Sequence, residues 1–258
     1  MARRLGQHFL ARKSILNRIA EAACGERAPL VIEIGAGRGA LTESLLERAD
    51  RVVAIEVDPV LIQYLRQKFR EALESGKLLL IEGDILKIDL SAWGQAVIAG
   101  NLPFYITSPI LERLFASHES WNRAVLMVQS EVADRIVASP GSRDYGYLSV
   151  VVQVQAQVER LFQVPREAFR PPPKVASAVV RLEPCPSIVD DPKRFLGFAG
   201  VCFRFKRKTL RNNLAGLYNK ARIESLVGPK DRAEQLGIAE LAKLFESLTT
   251  RSDVVYSR

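Results

Sequence analysis

Asn101-Leu102-Pro103-Phe104 places an amide, a stiff turn and an aromatic ring in four consecutive positions. An exocyclic NH2 group on a nucleobase or amide is a poor nucleophile because its lone pair is conjugated. Hydrogen bonds to both N–H groups draw that pair out of the π-system. An asparagine carboxamide oxygen and a neighbouring backbone carbonyl accept those bonds without competing for the lone pair. Pro103 stiffens the loop, and Phe104 offers a flat face to a base removed from its own stack. Standing alone, Asn-x-Pro-aromatic is more often a plain strand-ending turn, so its meaning depends on the elements that carry it.

Residues 30–34 form a short apolar run, followed at once by Gly35-Ala-Gly37-Arg-Gly39 and a helical pattern through Leu41, Leu45 and Leu46. Strand, tight glycine turn and helix in that order open a parallel α/β sheet. Residues 51–56, 77–82, 95–99 and 123–129 read as four more strands, and the fourth strand of the five delivers Asn101 at its carboxyl end. Asp58-Pro59 is a cap with proline at the first helical position. Ser14 is the expected cap of an earlier amphipathic helix carrying Ile15, Leu16, Ile19, Ala22 and Ala23.

In such a sheet the ligand lies beyond the carboxyl ends of the strands. Gly35 and Gly37 let it approach the backbone. Glu56, closing the second strand, is placed to hold both hydroxyls of a ribose, and Asp84, after the third, to accept from an adenine amino group. Gly35 to Ala40 also fits G-x-G-x-x-A, with Glu56 21 positions beyond Gly35, as a nicotinamide dinucleotide site requires. Two features favour S-adenosylmethionine instead: Glu33 completes E-x-G-x-G-x-G, and hydride transfer has no use for Asn-Leu-Pro-Phe after the fourth strand.

The 258 residues, 48% apolar and 26% charged, suit one large domain with a smaller appendage. Runs at 148–155, 159–164 and 175–182 read as further strands. A proline-led stretch at 183–186 then hands over to a small helical region, giving expected domains at 1–187 and 188–258. No apolar run approaches the roughly 20 residues that span a bilayer, so no membrane is expected. The start, Met-Ala-Arg-Arg-Leu-Gly-Gln-His, lacks the apolar centre of a signal peptide, which points to the cytosol. Cys24, Cys185 and Cys202 are odd in number and widely spaced, arguing for a reducing compartment. With only His8 and His118 besides, no zinc-ligand set assembles, and no metal is expected.

The formal charge of +8 is uneven: residues 1–187 hold 23 Lys/Arg against 21 Asp/Glu, and residues 188–258 hold 14 against 8. The window from 193 to 222 contains nine basic side chains and no acid, and the first twenty residues hold five and none. Exposed lysines are commonly a solubilising face, but two acid-free basic segments favour a phosphate-backbone partner.

These motifs together resemble the small-subunit rRNA adenine dimethyltransferases, over nearly the whole chain. Gly6-Gln-His-Phe-Leu10 is similar to the family's arm motif, in a segment 1–13 that reads as an ordered arm. The stretch from Glu33 to Thr42 resembles its donor loop, and Asn101-Leu-Pro-Phe-Tyr-Ile-Thr-Ser-Pro109 its N-L-P-Y loop, with Phe104 where tyrosine is common. Val128-Gln-Ser-Glu-Val-Ala133, Tyr145-Gly-Tyr-Leu-Ser149 and the stretch from Ala168 to Val180 follow in order. Residues 203–214 are similar to the family's basic tail helix.

The resemblance implies a Rossmann-like class I S-adenosylmethionine methyltransferase domain with a small C-terminal all-helical domain. It implies a donor site of His8, Leu10, Gly35, Gly37, Glu56, Asp84 and Asn101, and two methylations on each of two neighbouring adenosines near the 3′ end of small-subunit rRNA. Catalysis is expected at Asn101, Leu102, Pro103 and Phe104, with Phe169 completing a sandwich about the base or else serving as core. Arg204, Lys206, Arg207, Lys208 and Arg211 are the expected RNA contacts, a solvated helix face being the alternative. The expected partner is small-subunit rRNA within a pre-ribosomal small subunit, met by a monomer. A large-subunit rRNA methyltransferase, a non-enzymatic assembly factor and a NAD-dependent oxidoreductase are the rival readings, and the stretch from Pro171 to Val180 argues against the first.

Overall fold

Short β-branched runs that are apolar at every position need cover on both faces, and helices between successive strands supply it. The computed structural model of the protein describes residues 8–249. A two-residue strand, β1 (Phe9–Leu10), precedes α1 (Lys13–Cys24), β2 (Ala28–Ile34), α2 (Ala40–Leu46), β3 (Ala49–Glu56), α3 (Pro59–Lys68), α4 (Arg70–Glu74) and β4 (Leu78–Glu82). Next come β5 (Ala96–Asn101), α5 (Thr107–Ala116), β6 (Trp121–Gln129), α6 (Ser130–Ile136), α7 (Tyr147–Gln153), β7 (Ala156–Val164), β8 (Phe169–Arg170) and β9 (Ser177–Pro184). The chain continues through α8 (Pro192–Cys202), α9 (Leu210–Leu214), α10 (Lys220–Leu226) and α11 (Ile238–Thr249).

Seven strands form one sheet in the order β4-β3-β2-β5-β6-β9-β7. The pairings from β4 through β6 are parallel, and β9 joins β6 antiparallel. From the β2–β5 pair the parallel strands run outward in sequence order, β3 and β4 on one side and β6 on the other, so the carboxyl ends of β2 and β5 flank the crevice of a topological switch point. On one face α1 and α2 pack Ile15, Leu16, Ile19, Leu41 and Leu45 with Val31, Val52, Val97 and Val125. Alternation sends Ile32, Ile34, Val53 and Ile55 to the other face, where they are buried as well.

β1 pairs antiparallel with β8, Phe9 opposite Arg170 and Leu10 opposite Phe169. Ala11 N–H adds a bond to the Ala168 carbonyl at 2.9 Å. The described part of the expected arm is thus a strap along the segment before the proline run; residues 1–7 of that arm lie outside the described residues. α1 begins at Lys13 with Arg12 as its cap residue and no side-chain capping bond, so Ser14 does not cap it. Asp58 and Asp191 do cap α3 and α8, through Val60 N–H and Arg194 N–H.

The chain divides into two compact units. One holds the described residues up to Ala133 with Gln157–Pro184; the other holds Asp134–Ala156 with the described residues from Cys185 onward. A single cut at 187/188 therefore leaves out a segment that the helical unit takes from upstream. Its Tyr145, Val150 and Val154 share a core with Phe195, Phe198, Leu210, Leu241 and Phe245. For the same reason residues 148–155 are not a strand. The β-branched run Val150-Val-Val152 lies in α7, where Ser149 to Val152 are all buried; burial outweighs a β-propensity scale that spans only about 1 kcal/mol per residue and depends on context. Ser149 reinforces the helix start, accepting from Gly146 N–H at 3.0 Å and donating to the Arg135 carbonyl at 2.6 Å.

Ser149 is fully buried, so Ser149→Ala strands a donor and an acceptor. It should lower stability by about 1–3 kcal/mol, read as a lower urea midpoint; an unchanged midpoint would show that the α7 start does not depend on this hydroxyl.

Candidate active site

A cavity of about 570 Å³ opens at the carboxyl ends of β2, β3, β4 and β5. Its walls include Gly35 and Gly37 from the turn after β2, Glu56 from β3, Asp84 beyond β4, and Asn101 to Phe104 beyond β5, with His8 from the arm. The size suits a small-molecule site.

The glycine turn is shaped for close approach. Gly35 and Gly37 have φ of +74° and +58°, and a Cβ at Gly37 would meet the Phe9 ring at 3.3 Å. Lys68 of α3 holds the turn from behind, donating to the carbonyls of Arg38 at 3.3 Å and Gly39 at 3.4 Å. Glu56 Oε2 accepts from Gly37 N–H at 2.8 Å, and Oε1 from the N–H groups of Val57 and Asp58 at 2.9 and 3.0 Å. A carboxylate offers about four acceptor positions, so one remains while Gly37 is engaged, rather than the two that both ribose hydroxyls would use. Asp84 Oδ1 accepts from Leu86 N–H at 3.0 Å, which leaves Oδ2 for an amino group. Apolar Ile85 and Leu86 line the wall beside it. These residues fit an adenosine-bearing donor: an acid at the end of the second strand, an acid beyond the third, and a turn that side chains would fill.

At the other end of the cavity, Asn101 Nδ2 donates to the His8 carbonyl at 3.4 Å. That bond orients the amide and leaves Oδ1 as the acceptor. Leu102 N–H is tied to the Met127 carbonyl at 3.0 Å. The Pro103 carbonyl accepts from Ile106 N–H at 3.1 Å and from the Thr107 hydroxyl at 3.3 Å, a turn that does not use the Leu102 carbonyl. The His8 and Phe104 rings are stacked with centroids 6.3 Å apart, and His8 Nδ1 bonds the Pro171 carbonyl at 2.8 Å.

The structure therefore gathers His8, Gly35, Gly37, Glu56, Asp84 and Asn101 to Phe104 around one cavity. It does not bring Leu10 or Phe169 to the wall: both are buried, at 6% and 2% exposure, in the core under α1. Opposite residues of an antiparallel pair share a side, so Leu10 and Phe169 go inward together while Phe9 takes the cavity side. Phe9 and Tyr105 are wall residues that motif reasoning passed over; the order of aromatics beside the two motifs was the available signal.

In the helical unit, Arg204, Lys206, Arg207 and Lys208 are exposed on a turn between α8 and α9, not on a helix. Asn213 ends α8 by donating to the Cys202 carbonyl at 2.7 Å. Arg211 is otherwise occupied. Its guanidinium donates to the carbonyls of Val227 at 2.7 Å and Glu224 at 3.2 Å, closing the end of α10.

A family model for ribosomal RNA adenine dimethylase matches residues 1–250. The chain belongs to that family. A ribosomal RNA small subunit methyltransferase A from Acidobacterium capsulatum is 45% identical, over 96% of this chain and 92% of its own. A dimethyladenosine transferase structure from Plasmodium falciparum superposes with a TM-score of 0.79 at 28% identity, covering 92% of this chain and 96% of its own. A structure of the 23S rRNA methyltransferase ErmE gives 0.73 at 27%, covering 94% and 100%. Membership makes this an S-adenosylmethionine-dependent rRNA adenine dimethyltransferase on a class I methyltransferase fold. Among the described residues no cluster of metal-ligating side chains exists, and no helix is long and apolar enough to cross a membrane.

Glu33, the first residue of the donor-loop motif, is buried under that loop and accepts the Thr42 hydroxyl. Burial pushes its carboxyl up to about 7 from 4.5; the Thr42 bond opposes this and the nearby Glu56 charge adds to it. The unfolded chain ionises this group near 4.5 while the fold keeps it protonated to about 7. Its full stability is therefore present below 4.5 and is lost as pH rises through 7. Glu33→Gln should unfold at a higher temperature than the native chain at pH 8 and lose that advantage by pH 4.5. An equal gap at both pH values would show that the carboxyl does not titrate in this window.

Proposed function

We propose that the protein dimethylates N6 of each of two neighbouring adenosines near the 3′ end of small-subunit rRNA, acting on a pre-ribosomal small subunit in the cytosol as a monomer. The observation that carries the reading is the Asn101 carboxamide. Its NH2 group donates one bond to the His8 carbonyl, which leaves the oxygen as the acceptor, and Asn101 lines the cavity that Gly35, Glu56 and Asp84 also line.

When bound, S-adenosylmethionine supplies an electrophilic methyl group on a positively charged sulfur. His8, Gly35, Gly37, Glu56 and Asp84 bind and orient the donor in this reading, with Phe9 closing the glycine turn. Asn101 Oδ1 and the Leu102 carbonyl accept from the two N–H groups of the target amine, making its lone pair available along one direction. The Phe104 ring takes one face of the extruded adenine; phenylalanine here keeps the stacking surface without a hydroxyl. The chain need supply no general base, because an aromatic amine becomes acidic as it is alkylated and its proton can leave to water. Alignment and fixed dipoles account for the acceleration.

The α/β unit is the methyltransferase in this scheme, and the helical unit supplies rRNA contact through Arg204, Lys206, Arg207 and Lys208. The small-subunit target is supported by the name of the 45% identical relative. Fold likeness does not discriminate here, since a 23S rRNA enzyme shares the fold.

Incubation with labelled donor and undermethylated small subunits should place label on two adjacent adenosines. Label on large-subunit rRNA, or none, would overturn the reading in favour of the resistance-type enzyme or a non-enzymatic assembly factor. Asn101→Ala should lower turnover about 10²- to 10³-fold while donor affinity, measured by calorimetry, changes only modestly. Equal losses in both would remove Asn101 from the chemistry. Phe104→Tyr should keep activity, and Phe104→Ala should lose about tenfold or more through weaker stacking.

A further inference from the structure

Residues 204–208 are all exposed, and one of them carries no charge: Phe205, 46% exposed. Lys208 Nζ lies 4.4 Å and the Arg204 guanidinium 5.3 Å from its ring centroid. The turn is held by specific bonds. Lys208 N–H donates to the Phe205 carbonyl at 2.9 Å, and Lys206 Nζ donates to the Arg143 carbonyl at 3.1 Å. Asn213, 8% exposed, reaches up from α9 with Nδ2 donating to the Cys202 carbonyl at 2.7 Å and the Phe205 carbonyl at 3.4 Å. A buried amide thus fixes the backbone of the residue whose ring is left in solvent. An apolar ring kept exposed beside two cations has the composition of a single-strand nucleic-acid contact, in which an aromatic face meets a base and cations meet the flanking phosphates.

We propose that Phe205 is a stacking platform for an unpaired base of the rRNA, with Arg204 and Lys208 neutralising the phosphates beside that base, and with Asn213 as the positioning residue. This rests on the rRNA contact proposed above and adds a selectivity that charge alone lacks. In an A-form duplex the base faces are stacked on one another and unavailable, so an aromatic platform engages only splayed or single-stranded bases. Lysine and arginine alone would serve duplex and single strand alike.

The test titrates the full chain with two fluorescent RNA probes of equal length, one a non-pairing single strand and one a perfect duplex, between about 50 and 200 mM salt. Phe205→Ala should weaken single-strand binding about tenfold and leave both duplex binding and the salt slope as in the native chain. Phe205→Trp should restore the single-strand affinity, whereas Phe205→Leu, which keeps apolar bulk without a π-face, should not. Lys208→Ala should weaken both probes and lower the salt slope by about one. Equal loss on both probes for Phe205→Ala, no loss at all, or restoration by leucine would overturn the platform while leaving the charge-based contact standing. A native chain that binds neither probe would overturn the rRNA contact and the platform with it. Native-like helical content and an unchanged thermal unfolding curve by circular dichroism across the series report that each variant, helical unit included, is folded.

Discussion

The parallel pairing of β2 with β5 is the constraint on which the site depends. Ile34 lies opposite Gly100, so the turn that follows one strand and the loop that follows the other begin side by side. Gly100 itself has no room for a side chain: a Cβ there would meet the Ile34 carbonyl at 2.7 Å. From this one register come the nearness of Gly35 to Asn101 and the crevice between them. β3 and β4, adding outward from β2, bring Glu56 and Asp84 to the same end. A parallel sheet aligns carboxyl ends by construction, so residues tens of positions apart become neighbours without any dedicated contact.

The arm completes what the sheet begins. His8 touches the site three ways: its carbonyl accepts from Asn101, its ring stacks on Phe104, and Nδ1 bonds the Pro171 carbonyl. The Asn101 amide is therefore oriented by a residue 93 positions away in sequence. Polar side chains facing a cavity have several rotamers, and a bond of this kind removes the unproductive ones before a ligand arrives. The antiparallel β1–β8 pair fixes the arm's facing and so decides that Phe9 lies over the glycine turn while Leu10 and Phe169 enter the core.

The helical unit shows the same division between presentation and support. Leu210, Leu214, Phe195, Phe198 and Phe245 form its core, and Arg211 and Asn213 use their polar groups on backbone carbonyls at helix ends. The turn at 204–208, four cations with one aromatic ring, is left to solvent. Two arginines in one basic stretch thus have different work, Arg204 outward on the turn and Arg211, on α9, bonded to the carbonyls at the end of α10. Charge in the sequence does not distinguish them, because both sit in the same acid-free window.

Much of the site was legible without coordinates. Strand, glycine turn and helix are local signals, and the order Gly35, Glu56, Asp84, Asn101 follows from sheet chemistry once the strands are recognised. The family motifs extended that reading over the whole chain, with the methyl donor and reaction type. Local pattern failed where a distant partner outweighed it. The run from Val150 to Val152 has strand composition but takes its helix from a core built with residues more than forty positions on. Ser14 is a good cap type that the helix does not use. The single domain cut at 187/188 failed because the helical unit draws on both sides of β7, β8 and β9.

By itself the sequence determined the fold class, the end of the sheet at which the cavity opens and most of the named residues that line it, since these depend on residue type and short-range order. Only the tertiary structure decided which aromatic of the β1–β8 pair faces the cavity, which way the Asn101 amide points, how much of Glu56 is already engaged, and that Arg211 is consumed by a helix end. Each of those turns on hydrogen-bond partners or register far away in the chain, and neither is encoded in the spacing of neighbouring residues.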